Sequence, residues 1–194
     1  MQLSTTCKTV ALFLALCGCM TANATMVQQM NLGELAINAD KIFRGTVVSV
    51  KSGSVTAGGS ELPTVTYTLR VSETFKGNTR SLDGKAGDVV VITMLGERKS
   101  ATADGDIRRF VPFRPPNLEN GKEYLLFTTA PSALGLSMTV GVGQGAFRFL
   151  DGDFVLNEAK NSGLFRDMDS TGMPERGPIP YSAIAERIRS LTAN

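Results

Sequence analysis

From Thr64 to Lys76 apolar and polar side chains alternate. Val65, Tyr67, Leu69, Val71 and Phe75 fall on one side, and Thr64, Thr66, Thr68, Arg70, Ser72, Thr74 and Lys76 fall on the other. Glu73 alone interrupts the apolar side. A period of two gathers an apolar set on one face only when the backbone is extended, so this stretch predicts a half-buried strand of unusual length. A strand this long bends across two parts of a sheet or curls around a barrel. The fold class that follows is mainly β.

The flanking segments extend that reading. "IFRGTVVSV", from Ile42, predicts a strand in which Gly45 allows a bulge or a close backbone approach. "VVVITML", Val89 to Leu95, is apolar on both faces and reads as a central strand. An Asn-Gly turn introduces a strand from Glu123 to Thr129. "LSMTV", "GAFRFL" and "FVLNE" complete the set, the last two joined by a tight hairpin at Asp151, Gly152 and Asp153. "SGSVTAGGSELP" has no apolar periodicity and predicts a mobile Gly/Ser-rich loop at a hairpin tip.

Helices are expected at both ends of this β region. Asn31 and Glu34 have the spacing of a capping box, and Leu32, Leu35, Ala36 and Ala39 follow at helical spacing. Near the C-terminus, "YSAIAERIRSL" places Tyr181, Ile184, Ala185, Ile188 and Leu191 on one helical face and Glu186, Arg187 and Arg189 on the other.

Residues 1–24 read as a secretory signal peptide: Lys8 precedes the apolar run "VALFLALCGCM", and "TANA" sets Ala22 and Ala24 at the small positions before a cut. The run is too short to span a bilayer, and no later segment approaches the roughly 20 apolar residues a span requires. A secreted or periplasmic protein is expected, with residues 25–194 as one domain. The alternative is a lipid-anchored envelope protein, because "LCGC" resembles a lipoprotein box that would acylate Cys19. A membrane association is expected only in that case. All three cysteines, Cys7, Cys17 and Cys19, lie in the leader, so cleavage after Ala24 leaves no disulfide and the core alone must hold the fold. A formal net charge of +2 gives no basic footprint for nucleic acid.

The absence of histidine removes the Ser-His-Asp and Cys-His nucleophiles and zinc sites built on imidazole. No cofactor is expected. The enzymatic alternative left is a hydrolase using carboxylates or a metal held by oxygen ligands. "DMDSTG" sets Asp167, Asp169 and Thr171 at the first, third and fifth positions of a calcium loop with Gly172 sixth. The twelfth position is Pro178 in place of the bidentate Glu, so a polar loop of Asx turns is the stronger reading. The "GVGQG" run lacks the Lys-Ser/Thr ending of a phosphate loop and reads as a bend. "RRFVPFRPP" is the best candidate for contact with a protein partner. It combines Arg108, Arg109 and Arg114 with Phe110 and Phe113 on a proline-stiffened backbone that lowers the ordering cost of binding.

The series "LGELAINADKIFRGTVVSV", "YTLRVSETFKG", "NGKEYLLF" and "GQGAFRFL" resembles a group of uncharacterised secreted bacterial proteins. That group is similar in turn to the netrin-like, tissue-inhibitor-of-metalloproteinase-like version of the OB-fold. The resemblance implies a five-stranded OB-like closed barrel with an N-terminal and a C-terminal helix packed against it. Metalloproteinase inhibitors of that superfamily chelate the protease zinc through a disulfide-bonded N-terminal cysteine; here cleavage leaves Thr25, or a Cys19 whose amine is blocked. The function expected is a non-enzymatic secreted binding or accessory module that engages a protein partner, with an extracytoplasmic protease among the candidates.

Overall fold

The computed structural model describes residues 28–79, 89–96, 116–169 and 171–193. In chain order these form α1 (Leu32–Asn38), β1 (Lys41–Ala57), β2 (Ser60–Lys76), β3 (Val89–Leu95), β4 (Glu123–Thr128), a 3-10 turn (Val142–Gly145), β5 (Ala146–Leu150), β6 (Phe154–Asn157), β7 (Ile179–Pro180) and α2 (Tyr181–Thr192). The strands make one sheet in the spatial order β3-β2-β1-β4-β5-β6-β7, and every neighbouring pair is antiparallel.

The capping box forms as read. Asn31 accepts from the Glu34 N–H at 2.8 Å, and the Glu34 carboxylate accepts from the Asn31 N–H at 2.7 Å, so two otherwise orphaned donors are satisfied. Asp40 then turns the chain into β1 after a helix of only seven residues. Gly45 sits at a register shift against β2, where an added Cβ would lie 2.9 Å from the Arg70 carbonyl oxygen. No other residue fits that approach without moving backbone.

Alternation divides the core in two. Phe43, Val47, Val65, Tyr67, Leu69, Val90, Ile92, Met94, Tyr124 and Leu126 share one face of the sheet. On the other face Ile42, Leu125, Phe127, Phe147 and Val155 meet Leu32 and Leu35 of α1 and Ile184, Ala185 and Ile188 of α2. Both helices therefore cover the same side. Leu191, expected on the buried face of α2, is 38% exposed because the helix is in its last turn there and overhangs the core.

"VVVITML", read as a central strand, is instead β3 at the end of this strand order, with Val91 58% exposed. Two further expectations are corrected. Among the described residues the sheet has seven strands and is not closed into the five-stranded barrel implied by the resemblance. It does curl: Ser137 donates to the Thr93 carbonyl of β3 at 2.8 Å, while Thr139, two residues on, bridges Thr128 of β4. In a flat sheet β3 and β4 would stand three strand spacings apart, roughly 14 Å, too far for that short span. No ladder completes the closure, because Ser132 holds residues 132–136 in a turn and Gly141, at φ +61°, diverts the chain directly after Val140. "LSMTV" is thus cut to an isolated bridge.

The second correction concerns "SGSVTAGGSELP". β1 and β2 continue through it as a paired ribbon, and the turn is reduced to Gly58 and Gly59, at φ +57° and +78°. Two consecutive positive φ values are what a two-residue hairpin needs, so the glycines extend the strands instead of dissolving them. The low apolar content marks a ribbon with solvent on both faces.

Candidate functional site

The densest group of ionisable side chains lies where β1, β2, β4 and β5 meet α2. Arg44 makes a bidentate pair with Glu123, Nε to Oε1 at 2.8 Å and Nη2 to Oε2 at 2.9 Å. Its guanidinium also lies 4.3 Å from the Phe149 ring centroid and 4.4 Å from that of Tyr181. The Tyr181 hydroxyl donates to Glu73 Oε2, and Arg189 Nη2 donates to Glu73 Oε1 at 2.5 Å. The apolar side read for this strand is therefore split: past the register shift at Gly45, Glu73 and Phe75 turn to the helix-covered face, opposite to Val65, Tyr67, Leu69 and Val71, and Glu73 anchors the C-terminal helix there.

The electrostatics agree with that structural role. Burial acts to raise the Glu73 carboxyl, but the hydrogen bonds from Tyr181 and Arg189 outweigh it and hold it below the ordinary glutamate range. Tyr181 is pushed up, by burial first and then by its bond to Glu73. The hydrogen bond to Glu123 raises Arg44 further above its ordinary value. A general acid working near neutrality needs its carboxyl shifted the other way, so this cluster is built to stay charged.

A second group is arranged differently. Tyr124 on β4, Arg148 on β5 and Leu156 on β6 are cross-strand partners in one row, so their side chains share a face. Tyr124 and Arg148, with Glu119, line two adjoining cavities of about 360 and 470 Å³. The first is completed by apolar Pro116, Leu118, Ala146 and Leu156 and by Glu158 and Lys160. Lys122 and Asp151 stand in the second. The Tyr124 hydroxyl accepts from the Glu119 N–H at 3.0 Å, which leaves its own proton to donate into the groove. Among the described residues the side chains of Arg148, Lys160, Glu119 and Glu158 make no hydrogen bond or ion pair. Apart from Glu123, which lines the second cavity and is paired with Arg44, this groove offers unengaged charges of both signs over an apolar floor.

Other candidates find structural explanations. Asp169 Oδ1 accepts from the Thr171 N–H at 3.1 Å and from its hydroxyl at 2.7 Å, an Asx turn, and those two bonds draw its carboxyl down. Asp167 faces Arg166 at 3.4 Å, and Asp169 Oδ2 faces Arg187 at 3.6 Å. No three acidic, histidine or cysteine side chains converge as a metal set among the described residues. In "GVGQG", Gln144 clamps the segment before α1: it accepts from the Met30 N–H at 2.8 Å and donates to the Gln28 carbonyl at 2.9 Å. Asp151 to Asp153 form the hairpin between β5 and β6, with Gly152 and Asp153 at positive φ. Arg108, Arg109, Phe110, Phe113, Arg114 and Cys19 lie outside the described residues. No helix among the described residues is long and apolar enough to cross a membrane.

Tyr124 and Arg148 belong to no catalytic or binding motif in the sequence. The available signal was Arg148 within "GAFRFL", a single cation in an otherwise apolar strand. The chain matches no protein-family model, and no curated protein matches it.

Proposed function

We propose that the protein is a non-enzymatic, secreted binding module and that a protein partner docks a carboxylate-bearing extended segment in the groove around Arg148 and Tyr124. One observation carries this reading. The ionisable cluster at Arg44, Glu73, Glu123 and Tyr181 is saturated by its own members, whereas the remaining charges of the groove are left unengaged. A guanidinium beside a phenolic donor suits a carboxylate, which accepts two N–H bonds in the plane of the fork. Glu119 and Glu158 disfavour a doubly charged phosphate and favour a segment that also carries a cation.

The segment "RRFVPFRPP" belongs to the same reading, since it leads directly into Pro116 at the rim of the groove. Its Phe110 and Phe113 would extend the contact as aromatic anchors. Secretion remains part of the proposal on the strength of the leader, and kinship with netrin-like domains on the strength of the quoted motifs.

Affinity capture from the extracytoplasmic fraction of the producing organism tests the proposal, using the full chain purified after its own processing. Recovery of one dominant protein, lost with Arg148→Ala and weakened with the double variant Phe110→Ala/Phe113→Ala, is the expected result. Equal recovery by wild type and Arg148→Ala removes the groove from the interface. Hydrolytic activity toward any substrate class that disappears with Glu119→Gln would overturn the non-enzymatic assignment.

A further inference from the structure

Among the described residues the outer half of β1 has a neighbour on one side only. Lys41 to Thr46 pair with β4, and Val47 still exchanges backbone bonds with Gly121 and Lys122 at 2.8 and 3.0 Å. From Ser49 to Ala57 the only partner among the described residues is β2.

Which groups face outward follows from Pro63. Its carbonyl accepts from the Gly96 N–H at 2.9 Å, so it points toward the β3 side, away from β1. Ser54 is opposite Pro63, and in an antiparallel ladder directly opposed residues point both inward or both outward. Ser54 therefore turns its N–H and C=O away from β2. No register shift occurs between Ser49 and Ala57, so Val50, Ser52 and Thr56 do the same. Ser52, Ser54 and Thr56 are exposed.

The residues of this edge lack the usual protection. It carries no proline and only one charge, Lys51, whereas the outer edge of β2 is blocked by Pro63. It is also complementary to itself. A two-fold axis through Gly53 sets Val50 against Thr56 of a second copy and Ser52 against Ser54, so every outward group meets an outward group. Lys51 then stands opposite Val55, and the two lysines do not face each other. At the axis the two Gly53 residues form a non-hydrogen-bonded pair, with Cα atoms about 4.5 Å apart.

We propose that two copies of this chain associate by antiparallel pairing of residues Val50 to Thr56 of β1, joining the two ribbons into one four-stranded ribbon with an isologous interface. The occupant is a second copy because the register satisfies all four outward residues of both partners without opposing like charges. The interface is independent of the groove at Arg148. A ribbon interface without a large apolar core is below standard size, so association is concentration-dependent.

Sedimentation equilibrium and thiol cross-linking test this on the full, processed protein. Ser54→Pro removes an N–H that β2 does not use, at an edge position where proline is tolerated. It is expected to weaken the dimer by about 30-fold, the loss of two backbone bonds, one Ser54 N–H from each copy, at about 1 kcal/mol each. Gly53→Cys is expected to give an intermolecular disulfide in a glutathione buffer at least about tenfold faster than Ser52→Cys, whose thiols would be offset along the strand and outside bonding geometry. A monomer throughout the micromolar range overturns the proposal, as does equal cross-linking of the two variants. Amide protection at Ser52 and Ser54 that arises only on adding the extracytoplasmic fraction would assign the edge to a foreign strand instead.

Discussion

β1 belongs to two different environments along its length. Between Lys41 and Val47 it is flanked by β2 and β4, with Ile42, Phe43 and Val47 inaccessible to solvent. Beyond Ser49 it is flanked, among the described residues, by β2 alone, and Val55 and Ala57 are its only half-buried side chains past Lys51. One strand thus serves as a core element and then as a free arm. Stability should reside in the first half, and the second half should tolerate change until a partner is present.

The largest effect is expected deep in the covered half. Phe147 is fully buried, with its ring 5.7 Å from that of Phe127, between the sheet and the helices. Phe147→Ala leaves a cavity and should cost about 3–5 kcal/mol in urea unfolding. Gly45→Ala comes next: the new Cβ would meet backbone oxygen, which can yield only by shifting the bulge, and about 1–3 kcal/mol is expected. Wild-type stability of Gly45→Ala would mean that the register of β1 against β2 is not the one described, and wild-type stability of Phe147→Ala that Phe147 is not packed between the sheet and the helices.

Glu73 sharpens the comparison through pH. Its folded-state carboxyl is held below the unfolded value of about 4.3, so its contribution is complete above that value and is lost as pH falls through it toward the lower folded-state value. Glu73→Gln should lower stability at pH 7 by about 1–2 kcal/mol. It should also flatten the acid limb of the stability curve below about pH 4.5. An unchanged acid limb in the variant would locate the acid sensitivity elsewhere, since Arg189 and Tyr181 would then not be drawing Glu73 down.

The sequence showed the two environments unequally. Strand periodicity, the capping box and the apolar face of α2 were legible because each is a local pattern with one physical solution. Closure was not legible: whether residues 136–140 add a full strand depends on the Ser132 turn and the left-handed Gly141, and neither changes the local periodicity. The arm was misread because a ribbon wet on both faces has no apolar face to alternate. Glu73 was visible as a break in a pattern, but its partners, Tyr181 and Arg189, lie more than a hundred residues away. Arg148 and Tyr124 were invisible as a pair, since only the β4–β5 register brings them together.

The smallest expected effect is the most informative about the arm. Gly53 and Thr64 face each other one position from the Ser52–Val65 and Ser54–Pro63 pairs that turn their groups outward, so they form an inward, hydrogen-bonded pair able to carry a two-residue turn. Replacing Ser54–Pro63 with Asn-Gly should therefore close a shorter hairpin on the existing ladder. Because the excised residues bury so little, unfolding free energy should change by no more than about 1 kcal/mol, while the dimer should be lost. A loss as large as that of Phe147→Ala would dissolve the division between core strand and free arm. It would mean that the ribbon is held in place by contacts within its own chain, and that its outer edge is not available to a second copy.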